Sequence, residues 1–435
     1  MVSTTLNIAT SIQEPFDVRA VRREEADAML DLMCRCFGLD SASARRIFYS
    51  DPFFSLKMKR VLVGSKSARL ISSMTLVPAV LRISPAETLQ LCGIAGVCTD
   101  PELRGQGYAS ALIERTLIDA YDELGFELCA LTADRPDLYE HLGWAVCGTG
   151  IEWSAPSSAL PRYAEGEFVR ELRAEDMNAN RGVIHKLYAA SWGNVEVGAF
   201  VRDTRRWQCI EKLSTGRRVG VFERDGVVAG YCDYELRPAD GGRLVFVREM
   251  LADDSVARRA LIGYFARGKL GEVVAGQCSQ TDAAALGLLS TPGVVLRAKP
   301  NVYMRLTHVF GLLQRILAHV PPPPELTRFP GGLAIRVRPR AGIVAGADGV
   351  AGRHVALVRA AGRKVQILPV AGSGIEHGIE GDAGAVTQML IGFQTASELV
   401  SAGRLAISTN GNGIASACDA LFPRLQPYLA APDVF

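Results

Sequence analysis

From Phe16 onward the chain alternates between short, almost uninterrupted apolar runs and longer stretches whose apolar positions recur every three or four residues. The short runs read as buried strands and the longer stretches as amphipathic helices. "LQLCGIAGVC" is such a strand, and "GYASALIERTLIDAYDEL" is a helix with Tyr108, Ala111, Leu112, Ile118 and Tyr121 on one face. A first α/β block runs strand, helices, strands, this strand–turn–helix unit, the strand "FELCALTA", a helix and a closing strand. The order then repeats. "FVRELRAEDMNANRGVIHKLYAAS" echoes "FDVRAVRREEADAMLDLMCRCFG" as strand then helix. "VGVFERDGVVAGYCDYEL" is a hairpin turning at Asp225-Gly226, and "RLVFVREMLADDSVARRALIGYFARG" is a strand entering a helix. After Pro321 to Pro324, a stiff stretch no helix continues through, come the strands "GGLAIRVRP", "HVALVRAAG" and "KVQILPV", then helices around "AVTQMLIGF", "TASELVSAG" and "GIASACDALF". The expectation is three domains, 1–155, 156–310 and 311–435: two α/β repeats and an α+β domain.

Composition narrows the function classes. The 435 residues exceed one ordinary core, and 48% hydrophobic with 22% charged residues is a globular balance. A formal net charge of +2 gives no basic surface for nucleic acid. No run of 18 apolar residues predicts a membrane span, and the N-terminus, carrying Glu14, lacks the basic region of a secretory signal. Most of the ten cysteines sit in apolar settings and form no CxxC pair, so they read as free thiols and no metal site is expected. A cytoplasmic protein without membrane or nucleic-acid partners follows.

The chemistry concentrates in "TDPELRGQGYAS", where a buried strand meets a helix start through two glycines. Such a turn aims backbone N–H groups and the positive helix end at one point, which suits a phosphate. A purely structural turn competes with this reading, as does a dinucleotide-binding fingerprint. The latter has Ser110 where its third glycine belongs and lies too deep in the block. In the second block the corresponding segment, "ADDSVARR", has Asp253 and Asp254 instead, which cap a helix themselves and repel phosphate.

Arg104-Gly105-Gln106-Gly107-Tyr108-Ala109 resembles the Arg/Gln-x-x-Gly-x-Gly/Ala signature of the GCN5-related N-acetyltransferase (GNAT) superfamily, and "LYEHLGWAV" resembles the segment that follows it there. Tandem repeats of this kind, a degenerate second copy and a C-terminal domain similar to sterol carrier proteins resemble the enhanced intracellular survival (Eis) family across nearly the whole chain. The carrier-like signature is "LIGFQTASELVSAGRL" with "ACDALF" near the end.

This resemblance implies acetyl-coenzyme A (acetyl-CoA) as acetyl donor, its pyrophosphate held by Leu103, Arg104, Gly105, Gln106, Gly107, Tyr108 and Ala109. Val97, Cys98 and Thr99 would run alongside its pantetheine arm. It further implies Tyr139 as general acid and Phe435, through a free carboxylate, as base or substrate anchor. The implied acceptors are primary amines of multiply charged small molecules such as aminoglycosides or polyamines, and the implied assembly is a homo-oligomer, commonly a hexamer. Phe37 and Asp40 are candidates for lining the acceptor pocket, with a solvated helix cap as the competing reading. A protein lysine as acceptor, and a lipid- or sterol-binding protein using the GNAT portions as scaffold, are the alternative functions.

Overall fold

The computed structural model describes residues 14–133, 135–190, 197–213, 216–239, 242–338, 354–370, 376–408 and 412–434. The first repeat contributes β1 (Phe16–Ala20), α1 (Ala26–Phe37), α2 (Ser41–Ser50), β2 (Lys59–Gly64), β3 (Leu70–Arg82), β4 (Thr88–Thr99), α3 (Tyr108–Asp122), β5 (Leu128–Leu131), α4 (Pro136–Glu140) and β6 (Ala145–Pro156). The second contributes β7 (Val169–Glu171), α5 (Ala174–Tyr188), α6 (Thr204–Leu213), β8 (Arg217–Arg224), β9 (Val227–Ala239), β10 (Gly242–Ala252), α7 (Ser255–Phe265), β11 (Val273–Cys278), α8 (Gln280–Ala285) and β12 (Val295–Leu306). The C-terminal part holds α9 (Val309–Ile316), β13 (Leu333–Val337), β14 (Val355–Ala361), β15 (Lys364–Pro369), β16 (Gly378–Gly381), α10 (Ala383–Leu390), α11 (Ala396–Ser401), β17 (Leu405–Ile407) and α12 (Ile414–Leu421).

Both repeats share one twelve-stranded sheet in the order β1-β2-β3-β4-β5-β12-β6-β11-β10-β9-β8-β7. The closing strands are exchanged. β6 lies antiparallel to β11 of the second repeat, while β12 lies antiparallel to β5 of the first. The two exchanged strands also pair with each other along most of their length. The predicted hairpin forms, with Asp225 and Gly226 both at positive φ between β8 and β9.

The C-terminal part builds a five-stranded sheet, β15-β14-β13-β16-β17. Its core is continuous with that of the first repeat, since Leu91, Leu128 and Met304 pack in one cluster with Ile335, Val386 and Leu421. α10 docks on the large sheet, where Thr387 Oγ1 accepts the Leu306 N–H (3.0 Å) and Gln388 donates to the Val146 carbonyl (2.8 Å). α3 differs from its sequence reading. Ile113, Leu117 and Ala120 are buried on it, while Ile118 and Tyr121 are half-buried. Tyr121 instead stacks on His308 at the start of α9 (3.9 Å between rings), outside the core cluster that Ile113, Leu117 and Ala120 join.

After α12 the chain returns to the repeats as an extended tail. Leu429 exchanges two hydrogen bonds with the Asn301 side chain (2.6 and 2.9 Å). Gly148 clears its path, because a Cβ there would lie 2.2 Å from the Pro427 carbonyl oxygen. Residues 198–201 bridge the end of β3 to Tyr428. Next to them the buried Arg202 guanidinium meets Asp433 (2.8 and 2.7 Å) and Glu249 (3.0 Å) and lies over the rings of Tyr188 and Trp207. This joins the second repeat and the tail through one cation.

Breaking a buried pair by removing one partner costs several kcal/mol because it strands a charge. Arg202→Met strands two carboxylates and should lower stability by about 3–5 kcal/mol. Asp433→Asn leaves Arg202 paired with Glu249 and should cost clearly less. Urea unfolding midpoints check the ranking, and equal losses would show that the tail pair contributes as much as the whole cluster.

Candidate active site

The site begins where two parallel strands part. β4 pairs with β5 only at Cys92–Cys129 and Gly93–Ala130, so its last six residues leave that neighbour. On its other side β4 carries an extra residue against β3, with Gly96 at φ +61° between the Ala95–Thr75 and Cys98–Ser73 pairs. A bulge of this kind bends the strand and re-aims its backbone groups. The bent end leads into a turn with Gly105 and Gly107 at φ +77° and +86°. Gly107 begins α3 without a side-chain cap, and the first helical bond runs from the Ala111 N–H to the Gly107 carbonyl. The N–H groups ahead of it are therefore open to an anion. Asp100 fixes the approach, accepting from the Glu102 N–H (3.1 Å) and pairing with Arg69 (2.7 Å). Turn, bulge and parted strands follow one another along the chain, so unpaired backbone groups and an uncapped helix start succeed each other there.

Beside the bulge lies a cavity of about 440 Å³. Thr75, Ala95 and Gly96 border it on the sheet side, and Leu30, Met33 and Phe48 contribute from α1 and α2. The second repeat supplies Arg206, Cys209 and Ile210 from α6 and Arg248 from β10, while Ala431, Pro432 and Val434 of the tail complete the wall. Lys59 also faces it. Its buried ammonium lies 4.7 Å from the Phe48 ring centre and 3.3 Å from Thr75 Oγ1. Burial pulls its pKa below the ordinary lysine value, with Asp51 opposing.

The equivalent place in the second repeat is built differently. β10 and β11 are parallel, and β10 bulges at Arg248, between Val247 and Glu249. Here Asp254 caps α7, accepting from the Ala257 N–H (2.8 Å) and pairing with Arg224. Tyr428 and Ala430 of the tail lie between β10, β11 and α8, leaving a void of about 30 Å³.

Residues 17–147 match an acetyltransferase (GNAT) domain family, and residues 198–306 match a second acetyltransferase (GNAT) domain family. Two GNAT domains stand in tandem, and the protein is an acyltransferase. No curated protein matches the chain in sequence. Its fold is similar to a GCN5-related N-acetyltransferase from Anabaena variabilis (TM-score 0.75, 17% identity, covering 97% of this chain and 100% of that one). It is also similar to a GCN5-related N-acetyltransferase from Kribbella flavida (TM-score 0.70, 19% identity, 97% and 100%). Eis1 from Mycobacterium abscessus is a further structural neighbour (TM-score 0.66, 17% identity, 96% and 99%).

Within this acyltransferase, Val97, Cys98 and Thr99 lie on the diverging end of β4 and Leu103 to Ala109 in the turn. Several side chains point elsewhere than at a ligand. Tyr108 is buried against Phe16, so only its backbone serves the turn. The Arg104 guanidinium donates through Nε to the Thr99 carbonyl (3.2 Å) and so ties the turn to the strand. Burial pushes the Cys98 thiol up to about 12, which leaves it no role as a nucleophile. Tyr139 lies on α4 with its ring edge against Trp144. α4 reaches the first turn of α3 through Ser110 and His141 (3.4 Å).

The two candidates for the acceptor pocket separate. Asp40 borders the cavity while capping α2 through the Ser43 N–H (2.9 Å), a bond that holds its carboxyl below the usual range. Phe37 does not line the cavity; it ends α1 with 48% of its surface exposed, because Gly38 turns the chain there. Phe435 lies outside the described residues.

Gly96, Lys59, Arg206 and Arg248 escaped the sequence reading. Glycine inside a strand was a usable signal for a bulge, although it does not say which of Gly93 and Gly96 bulges; Gly93 pairs regularly. The three cations gave none, since they reach the cavity from separate elements. Among the described residues, no group of three or more His, Cys, Asp or Glu is arranged to hold a metal, and no helix is long and apolar enough to cross a membrane.

Gly96→Ala forces a side chain into the left-handed region at a cost of about 1–2 kcal/mol, and its Cβ would stand 3.0 Å from Met33 Cε. A drop of this size in the unfolding free energy is expected. An unchanged value would mean that the bulge relaxes without strain.

Proposed function

We propose that the enzyme is an acetyl-CoA-dependent N-acetyltransferase whose acceptor is a primary amine of a small molecule bound in the cavity. The observation that carries this reading is the parting of β4 from β5 between a phosphate-suited turn and that cavity. In this reading the backbone of Leu103 to Ala109, with Arg104 and Gln106, holds the pyrophosphate. Val97, Cys98 and Thr99 line the pantetheine arm. Gln106 Oε1 is buried without a partner, which leaves an acceptor for a donor on the ligand. Acetyl-CoA supplies the acetyl group as a thioester. The amine nitrogen forms the new C–N bond as the C–S bond breaks, the nitrogen losing a proton and the sulfur gaining one.

Tyr139 is assigned that proton delivery. A phenol near pKa 10 and a thiol near about 8.5 are close enough to share a proton. Phe435 keeps the role of carboxylate donor at the site, on the ground that its neighbour Val434 lines the cavity. The second repeat is assigned no acetyl-CoA, because Asp254 caps α7 and the tail fills the cleft. The sterol-carrier-like character of the C-terminal part and a hexameric homo-oligomer rest on the family resemblance, and a cytoplasmic setting rests on the free cysteines and the composition.

The cavity's charges bear on the acceptor. Lys59, Arg206 and Arg248 face Asp40 and Asp51 across otherwise mainly apolar walls. Such a lining repels polycations. It favours an amine on an apolar body over the aminoglycoside or polyamine expected from the resemblance. Walls from both repeats and the tail favour a small molecule over a lysine presented by a protein.

Thiol release from acetyl-CoA across apolar monoamines, polyamines, aminoglycosides and a lysine peptide tests the reading. Tyr139→Phe should lower kcat about 100-fold or more while leaving the acetyl-CoA Kd unchanged. Gly107→Val should weaken acetyl-CoA binding by a factor of ten or more. Calorimetry should find one acetyl-CoA per chain. Two would restore a site to the second repeat, and none would reduce the glycine turn to a structural one.

A further inference from the structure

Lys59 and Arg248 are cations with too few partners for their surroundings. Lys59 is only 4% exposed, yet its three N–H donors have one hydrogen-bond acceptor, Thr75 Oγ1, and the rings of Phe48 and Phe54 (4.7 and 5.9 Å). Arg248 is the extra residue of the β10 bulge, half-buried and facing the same cavity. Neither forms an ion pair among the described residues. Asp51 and Asp233 act on Lys59 and Arg248 only through the longer-range field. A buried cation without a close counter-ion is costly, so a site that keeps one is matched to an anion brought by a ligand. The rest of the wall is mainly apolar, with Leu30, Met33, Phe48 and Ile210, and also carries Arg206 and the carboxylates of Asp40 and Asp51. The cavity's volume of about 440 Å³ lies in the ordinary range of small-molecule sites and leaves room for an amino acid.

We propose that Lys59 and Arg248 anchor a carboxylate of the acceptor, which is therefore an apolar amino carboxylate: a primary amine and a carboxylate on one apolar body. The identity of the reacting amine rests on the acetyl-transfer reading above, whereas the anion site stands on the cavity itself. Thr75 and the two rings hold the Lys59 ammonium in place, and a carboxylate beside it offsets the burial that lowers its pKa. Arg206 stands on the same wall, tied to the Pro78 carbonyl (3.2 Å) and the Phe53 ring, and extends the positive field.

The experiment uses matched pairs and the full chain. Acetylation of L-phenylalanine is compared with that of 2-phenylethylamine, and of L-leucine with isopentylamine, each second member lacking only the carboxylate. Wild type should favour the amino acids by a factor of ten or more in kcat/KM. Lys59→Met should erase that preference through KM, and Lys59→Arg should restore it, with the KM for acetyl-CoA tracking the integrity of the fold. Calorimetry with 3-phenylpropanoate, which keeps the carboxylate and lacks the amine, should show binding to wild type and none to Lys59→Met.

Equal turnover within both pairs, or a preference that survives Lys59→Met, overturns the inference and leaves acetyl transfer intact. Lys59-dependent binding of 3-phenylpropanoate with no amine acetylated upholds the anion site and overturns the acetyl-transfer reading. Turnover of the amines without any binding of 3-phenylpropanoate also overturns the anion site.

Discussion

Two parallel strands that part company leave backbone N–H and C=O groups facing a gap, and buried backbone groups must find partners. This chain meets that requirement twice, in two ways. Between β10 and β11 the gap is closed from within by Tyr428 and Ala430, and the neighbouring helix end is satisfied by Asp254. Between β4 and β5 no segment of the described chain takes that place, and the neighbouring helix end carries no side-chain cap. In the proposed reading, the asymmetry between the GNAT repeats reduces to whether the protein or a ligand completes the sheet. The cluster around Arg202 fixes the end of the tail on the second repeat.

The filled repeat still shapes the site of the open one. Arg206, Cys209 and Ile210 of α6 and Arg248 of β10 form a wall of the cavity that borders Gly96. If the cavity takes the acceptor as proposed, the second GNAT domain bears on which acceptor enters, and it brings two of the cavity's three cations. The C-terminal part contributes at longer range. Its core is continuous with that of the first repeat, so the tail leaves from a rigid base.

Local chemistry was legible wherever the signal lies in neighbouring residues. Asp225-Gly226 announced the β8–β9 hairpin, Gly105 and Gly107 the turn ahead of α3, and Asp254 the cap of α7. What depends on distant pairing was not. The closing strands β6 and β12 have ordinary apolar patterns, and nothing in those patterns says that each belongs beside the other repeat. Ile118 and Tyr121 were read as part of the buried stripe of α3, whereas Tyr121 stacks on His308, far along the chain. Phe37 and Asp40 are three residues apart and looked equivalent. A single left-handed glycine, Gly38, sends one to solvent and the other to the cavity rim.

The strand exchange has a consequence for the order in which the molecule is made. β5 emerges from the ribosome with one lateral partner, and its other edge waits for residues 295–306 to be synthesised. The first repeat therefore cannot finish its sheet as a separate folding unit. It must persist as an open-edged intermediate, exposed to edge-on pairing with other chains, until most of the second repeat exists. Residues 426–434, made later still, then lock the two repeats together. A nascent chain released early would lack both the closing strand and the lock.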